Sequence, residues 1–176
     1  EMNTCEISFP PDHDQWVSFL SPDPEMARPA LDTDTLVFVG CTSNTPYIPY
    51  DEPYVPTDAT VVEVNLDPRE IGKNNPTDVA IAGEPGAAMG RIAETVAVPE
   101  AERRRRRESI PDRREAARSY LGIDGGTTPE GSITKPALAD ALATVAGDSY
   151  VLNESNTSKF ALLSRWHLQP EQFVSN

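Results

Sequence analysis

Apolar residues along this chain fall into short unbroken runs that alternate with stretches at helical spacing. "TLVFVG" (Thr35 to Gly40) is continuously apolar and closes on glycine, which predicts a strand buried on both faces of a parallel sheet. "TVVEVNLD" (Thr60 to Asp67) and "DVAIAGE" (Asp78 to Glu84) predict two further strands. The polar segment between them is too short for an ordinary helical crossover. "PGAAMGRIAETVA" (Pro85 to Ala97) predicts a helix, with proline at its first position and Ala88, Met89, Ile92 and Val96 at helical spacing.

Further on, "ITKPALADALATVAGD" (Ile133 to Asp148) predicts an amphipathic helix on Leu138, Ala141, Leu142 and Val145, ended by Gly147. "SYVLNES" (Ser149 to Ser155) predicts a strand running into a polar turn. "NTSKFALLSRWHL" (Asn156 to Leu168) predicts a helix capped by Asn156, Thr157 or Ser158. Residues 1–30 read as irregular, punctuated by Pro22, Pro24 and Pro29. Strands that alternate with helices predict an α/β fold with a parallel sheet. About three strands precede the glycine-rich stretch "GIDGGTTPEGS" (Gly122 to Ser132) and one follows it, so the fold reads as incomplete.

Composition adjusts this picture. The 176 residues carry a net charge of -13, with 17 prolines and only three lysines, Lys73, Lys135 and Lys159. An acidic surface poor in lysine suggests a salt-loving cytoplasm, because concentrated salt screens self-repulsion. An ordinary acidic enzyme has the same composition. The charge also disfavours nucleic acid as a partner. No apolar run approaches the length of a membrane helix, and Glu1-Met2-Asn3 does not open a signal peptide, so the reading is a cytoplasmic chain.

"AERRRRRESIPDRREAAR" (Ala101 to Arg118) breaks the acidic pattern, but Glu102, Glu108, Asp112 and Glu115 interleave with its arginines. It reads as a solvated linker helix, or one docked on an acidic neighbour. Pro111 is expected to divide it into two short helices. Cys5 and Cys41 lack CxxC spacing and histidine partners, which argues against zinc and leaves two reduced cysteines as the simpler reading.

Ligands of open α/β sheets bind beyond the carboxyl ends of strands. The polar ends here are Gly40 to Asn44, Asn65 to Asp67, and Asn153 to Ser158. The last leads onto a helix start, where an anion could bind. Plain helix capping explains the same residues and comes first on local grounds. There is no GxGxxG, Walker loop or GxSxG elbow, and no catalytic or metal-ligating set stands out.

"VVEVNLDPREIGKNNPTDVAIAGEPGAAM" resembles the end of the central domain of thiamine-diphosphate-dependent enzymes of the acetolactate synthase and pyruvate oxidase group. "FPPDHDQW" and "TLVFVG" resemble the same domain in benzoylformate decarboxylase-like members. "ITKPALADALATVAGDSYVLNESNTSKFALL" is similar to the start of the diphosphate-binding domain, including its "NES" turn. The resemblance implies a Rossmann-like central domain ending within residues 1–99, an arginine- and glycine-rich linker over 100–131, and the opening of a second α/β domain over 132–176. It implies that the strands ending in Asp67-Pro68 and Gly83-Glu84 are neighbours joined by a non-helical turn through Ile71-Gly72-Lys73-Asn74.

The resemblance also implies that Asn153, Glu154, Ser155, Asn156 and Thr157 line the cofactor cleft. In that family the cofactor is thiamine diphosphate with magnesium, the substrate is a small 2-oxo acid, and the full-length enzymes are homo-oligomers. Some members carry FAD and others do not. The family's Gly-Asp-Gly…Asn-Asn metal motif and its activating glutamate have no counterpart here. Asn156 stands where decarboxylase relatives carry Thr. The chain therefore reads as an inert piece of a longer decarboxylase or carboligase. A nucleotide-binding domain, or a regulatory domain using the arginine helix, is the alternative.

The composition generates one test. Melting temperature should rise from low to molar potassium chloride as repulsion is screened. A flat or falling melting temperature would count against a halophilic origin.

Overall fold

Three parallel strands, β1 (Thr35–Val39), β2 (Thr60–Asn65) and β3 (Val79–Ala82), form a sheet in that spatial order. β1 and β2 align from Thr35 opposite Thr60 to Val39 opposite Val64, and β2 and β3 from Val62 opposite Val79 to Asn65 opposite Ala82. The computed structural model describes residues 7–21, 23–41, 50–121, 123, 129–155 and 158–175. Among these, two compact units separate: residues 22–106, which hold this sheet, and residues 1–21 with 107–176.

In the first unit, β2 and β3 are adjacent and parallel, and the stretch between them has no helix. Hydrogen bonds shape this connection. The buried Glu63 of β2 accepts through Oε2 from the Gly72 amide at 2.6 Å. Gly72 has φ 69, a left-handed conformation that glycine adopts without strain. The Asp78 carboxylate accepts from the Val61 amide at 2.8 Å, while the Asp78 amide donates to the Val61 carbonyl at 2.9 Å, fixing the start of β3. At the start of the connection, Asp67 accepts from the Arg69 backbone amide and from its guanidinium, closing the Asp-Pro turn. These Arg69 bonds lower the Asp67 carboxyl from its ordinary 3.8 to about 2.

Helices α1 (Pro24–Leu31) and α2 (Pro85–Thr95) complete this unit, together with the first turns of α3 (Glu100–Leu121). Asp23 caps α1 through the amides of Glu25 and Met26, and Glu84 caps α2 through those of Gly86 and Ala87. Proline occupies the opening of both helices, as expected for α2 from sequence.

The sheet differs from the sequence expectation in burial. β1 alternates exposed and half-buried positions, and Val37, Val39 and Val79 remain open to solvent. Their apolar runs were suited to burial on both faces, but no residue of α2 is fully buried, so that helix covers the sheet only partly.

α3 also corrects an expectation. It runs unbroken from Glu100 to Leu121 with Pro111 inside it. Proline removes one helical hydrogen bond, and flanking residues of good helix propensity outweigh that loss here. Glu102 supports the first turns by accepting from Arg105 at 2.8 Å and Arg106 at 2.7 Å. Those bonds lower its carboxyl to about 2. Arg114 docks on backbone carbonyls rather than on an acidic neighbour, donating to Trp16 O at 2.6 Å and Asp14 O at 3.2 Å.

The second unit holds α4 (Lys135–Ala146), β4 (Val151–Asn153), α5 (Lys159–Arg165), a 3-10 turn at Pro170–Gln172 and β5 (Phe173–Ser175). β4 and β5 pair in parallel, with α5 as the helical crossover. Their core is Ile7, Phe19, Leu163, Trp166, Leu168 and Phe173, which places the N-terminal segment against the C-terminal one. Arg165 clamps Asp140 of α4 with bonds of 2.9 and 2.6 Å. β5 carries no sequence expectation, and α5 is shorter than its apolar pattern predicts.

The Asp67–Arg69 pair supplies a pH test. A lowered carboxyl stabilises the fold above its unfolded value of 3.8, and that contribution fades as pH falls through about 2. An NMR titration of Asp67 should therefore give a midpoint near 2, and Arg69→Ala should return it toward 3.8. An unchanged midpoint in that variant would rule out the guanidinium as the cause.

Candidate functional site

The parallel sheets present two sets of carboxyl strand ends. In the first unit these are Gly40, Asn65 and Gly83. The Gly40 amide donates to the Val64 carbonyl and the Gly83 amide to the Asn65 carbonyl, so the ladder continues past the strands. Gly40 has φ 62, and a Cβ there would sit 3.4 Å from Pro85. Asn65 donates through Nδ2 to the Cys41 carbonyl at 2.9 Å and accepts through Oδ1 from the Asp67 amide at 3.0 Å. Its side chain thus ties β1's exit to the Asp-Pro turn.

Below this end lies Glu63, which sequence reasoning passed over. It is 3% exposed, and its Oε1 has no hydrogen-bond partner while Oε2 holds Gly72. The signal was available: a single charged residue inside the apolar run "TVVEVN". Desolvation first, and the Glu63 charge after it, push the Cys41 thiol up, which makes it a weaker nucleophile. Cys41 is a free thiol, and Cys5 lies outside the described residues.

In the second unit, β4 delivers the polar turn singled out from sequence. Asn153 is buried, and both of its amide atoms are engaged. Nδ2 donates to the Ser175 hydroxyl at 2.9 Å and to the Ser155 carbonyl at 3.2 Å, and Oδ1 accepts from the Ser155 hydroxyl at 2.7 Å. Asn153 therefore braces the turn and links β4 to β5. Glu154 is exposed. Asn156 and Thr157 lie outside the described residues. Ser158 occupies the cap position of α5 but makes no side-chain cap bond, and Lys159 behind it is buried.

The geometry brings Asn153 and Ser155 together as a scaffold and leaves Glu154 to face outward. Among the described residues, no three His, Cys, Asp or Glu side chains gather to hold a metal ion. None of the described helices is long and apolar enough to cross a membrane.

Comparison with known proteins agrees with this architecture. No curated protein sequence matches the chain significantly. The X-ray structure of a Mycobacterium smegmatis protein, assigned as a thiamin diphosphate-dependent enzyme, aligns over 99% of this chain with a TM-score of 0.67. The identity is 21%, so the likeness concerns the fold, and this chain spans 32% of that one. The family description "Thiamine pyrophosphate enzyme, central domain" matches residues 4–92 of the 176. That stretch contains the whole β1–β2–β3 sheet with its helix-free connection, and by it the chain belongs to the thiamine pyrophosphate enzyme family.

Proposed function

We propose that this chain supplies the end of the central domain and the opening of the diphosphate-binding domain to an enzyme that decarboxylates or ligates 2-oxo acids, of the acetolactate synthase or benzoylformate decarboxylase kind. The supporting observation is the family match over residues 4–92, followed at family spacing by the "LNES" turn after β4. A nucleotide-binding or regulatory domain without thiamine chemistry is not favoured, since no GxGxxG or Walker loop accompanies the sheet.

In this reading the central domain ends near residue 99, residues 100–131 connect, and residues 132–176 open the second domain. Asn153 positions the turn, and Glu154 to Thr157 form one wall of the cofactor cleft. When bound, thiamine diphosphate supplies the nucleophilic carbon and the electron sink for decarboxylation. At the end of β2, the strand end that faces the flavin nucleotide in flavin-bearing relatives, the Asn65 side chain is engaged by Cys41 and Asp67. The partners are a small 2-oxo acid and further copies of the full-length enzyme in a cytoplasmic homo-oligomer, with neither nucleic acid nor membrane.

The roles of the turn separate by mutation in the full-length enzyme. Asn153→Ala should cost about 1–3 kcal/mol of stability, because it removes the partner shared by Ser155 and Ser175. Asn156→Ala combined with Thr157→Ala should raise the Michaelis constant or the apparent cofactor dissociation constant by more than the roughly 1 kcal/mol a lost cap would explain. If both constants hold while only the melting temperature falls, the turn is a cap. The 176-residue chain alone, given thiamine diphosphate, magnesium and pyruvate or benzoylformate, should release no carbon dioxide above blank. Turnover by it would refute the reading of this chain as one part of the active unit.

A further inference from the structure

A cavity of about 140 Å³ lies within the second unit, walled by the N-terminal segment, α3 and α5. It is close in size to a cavity of roughly 150 Å³, which accepts one benzene ring. The rings of Trp16, Phe19 and Phe160 give it aromatic walls, with Pro11, Val17 and Leu163 around them. Those rings hold one another in place. Trp16 meets Phe19 edge-on with centroids 4.9 Å apart, and Phe19 lies 6.1 Å from Phe160. The aromatic surface is therefore formed before any ligand arrives.

The polar part of the same wall is basic. Arg114 and Arg118 of α3 and the exposed His167 line it, and no Asp or Glu is among the described wall residues. In a chain of net charge -13, that is a local reversal of sign. Arg114 has no carboxylate partner, because every bond it makes goes to a carbonyl. Its Nε and Nη2 donate to Trp16 O, and Nη2 also donates to Asp14 O and His13 O. These bonds fix the guanidinium against the chain that carries the Trp16 ring. Its Nη1 makes no hydrogen bond among the described residues and is not buried, so its N–H donors stay open to an acceptor. The hydroxyls of Ser18 and Ser164 are already spent on the carbonyls of Phe19 and Ala161.

We propose that this cavity binds a small monocarboxylate with a ring-sized apolar body, the body seated against Trp16, Phe19 and Phe160 and the carboxylate received by Arg114. A carboxylate without a body, or a neutral ring, matches only half of the wall. The site shares no residue with the Asn153 turn, and the assignment does not depend on thiamine chemistry.

The test titrates the full 176-residue chain with benzoate, with benzamide as the neutral ring and acetate as the carboxylate without a ring. Binding is read by calorimetry and by the Trp16 indole N–H signal in NMR. Benzoate should bind saturably below about 10 mM, and benzamide and acetate should each bind about tenfold more weakly or not at all. A protein this acidic repels anions in general, so a preference for benzoate over benzamide reports a local positive field. The Trp16 signal should shift with the calorimetric midpoint. Arg114→Gln should remove the advantage of benzoate over benzamide. Ser164→Leu, which fills the cavity, should weaken benzoate by about tenfold or more. The proposal falls if benzoate does not bind at about 10 mM, or if benzamide or acetate binds as tightly. It falls equally if the Trp16 signal stays still while benzoate binds, if Arg114→Gln keeps the preference, or if Ser164→Leu binds like the parent. Should either variant fail to fold, the three-ligand comparison and the Trp16 signal on the parent chain decide.

Discussion

A parallel pair of neighbouring strands has to be joined by chain that travels the full length of the sheet and returns, and a helix usually spans that distance with its own backbone bonds satisfied. Between β2 and β3 no helix does so. The connection instead relies on side chains of the sheet, above all on Glu63, whose buried carboxylate receives the Gly72 amide at 2.6 Å. A hydrogen bond to a charged acceptor is worth about 1.5–3 kcal/mol, which offsets part of the cost of burying that charge. The bond anchors the middle of the connection to the middle of β2. With Asp67 closing one end on Arg69 and Asp78 holding Val61 at the other, the connection is fixed at three points.

Both strand-end surfaces of this unit border that connection. At the carboxyl ends, Asn65 bonds both Cys41 and Asp67, which ties the exit of β1 to the Asp-Pro turn. At the amino ends, the returning stretch places Asn74 to Asp78 beside Val61, and a cavity forms between it and residues 50–57. The second unit solves the same topological problem the usual way. α5 carries the chain from β4 to β5, and Leu163 of that helix is buried beside Phe173 in the core. Its turn needs only Asn153, which ties the strand to Ser155 and Ser175.

Much of this was legible in the sequence because strand signals are local. The runs at 35–40, 60–67 and 78–84 all became strands, Pro85 opens its helix as its position suggested, and the apolar spacing after Ile133 became α4. What escaped depends on distant partners. β5 is three residues long and owes its existence to pairing with β4. The continuity of α3 through Pro111 is set by its neighbours' propensity, which a single proline signal hides. Burial of β1 was overread, since an apolar run reports what a strand can bury and not what covers it. At the candidate site, "NES" identified the turn, and the bonds by which its Asn braces that turn depend on Ser175, a distant partner. Neither Asn75 nor Glu63 announces in sequence that one of its atoms lacks a partner.

The account turns on whether the β2–β3 connection is held by Glu63, and amide hydrogen exchange at Gly72 in the full chain tests this most directly. The Gly72 amide should exchange as slowly as the amides of β2, and Glu63→Ala should raise its rate toward that of an open loop while β1–β2 pairing persists. A Gly72 amide that exchanges at the rate of an unprotected loop in the unaltered protein would contradict the account.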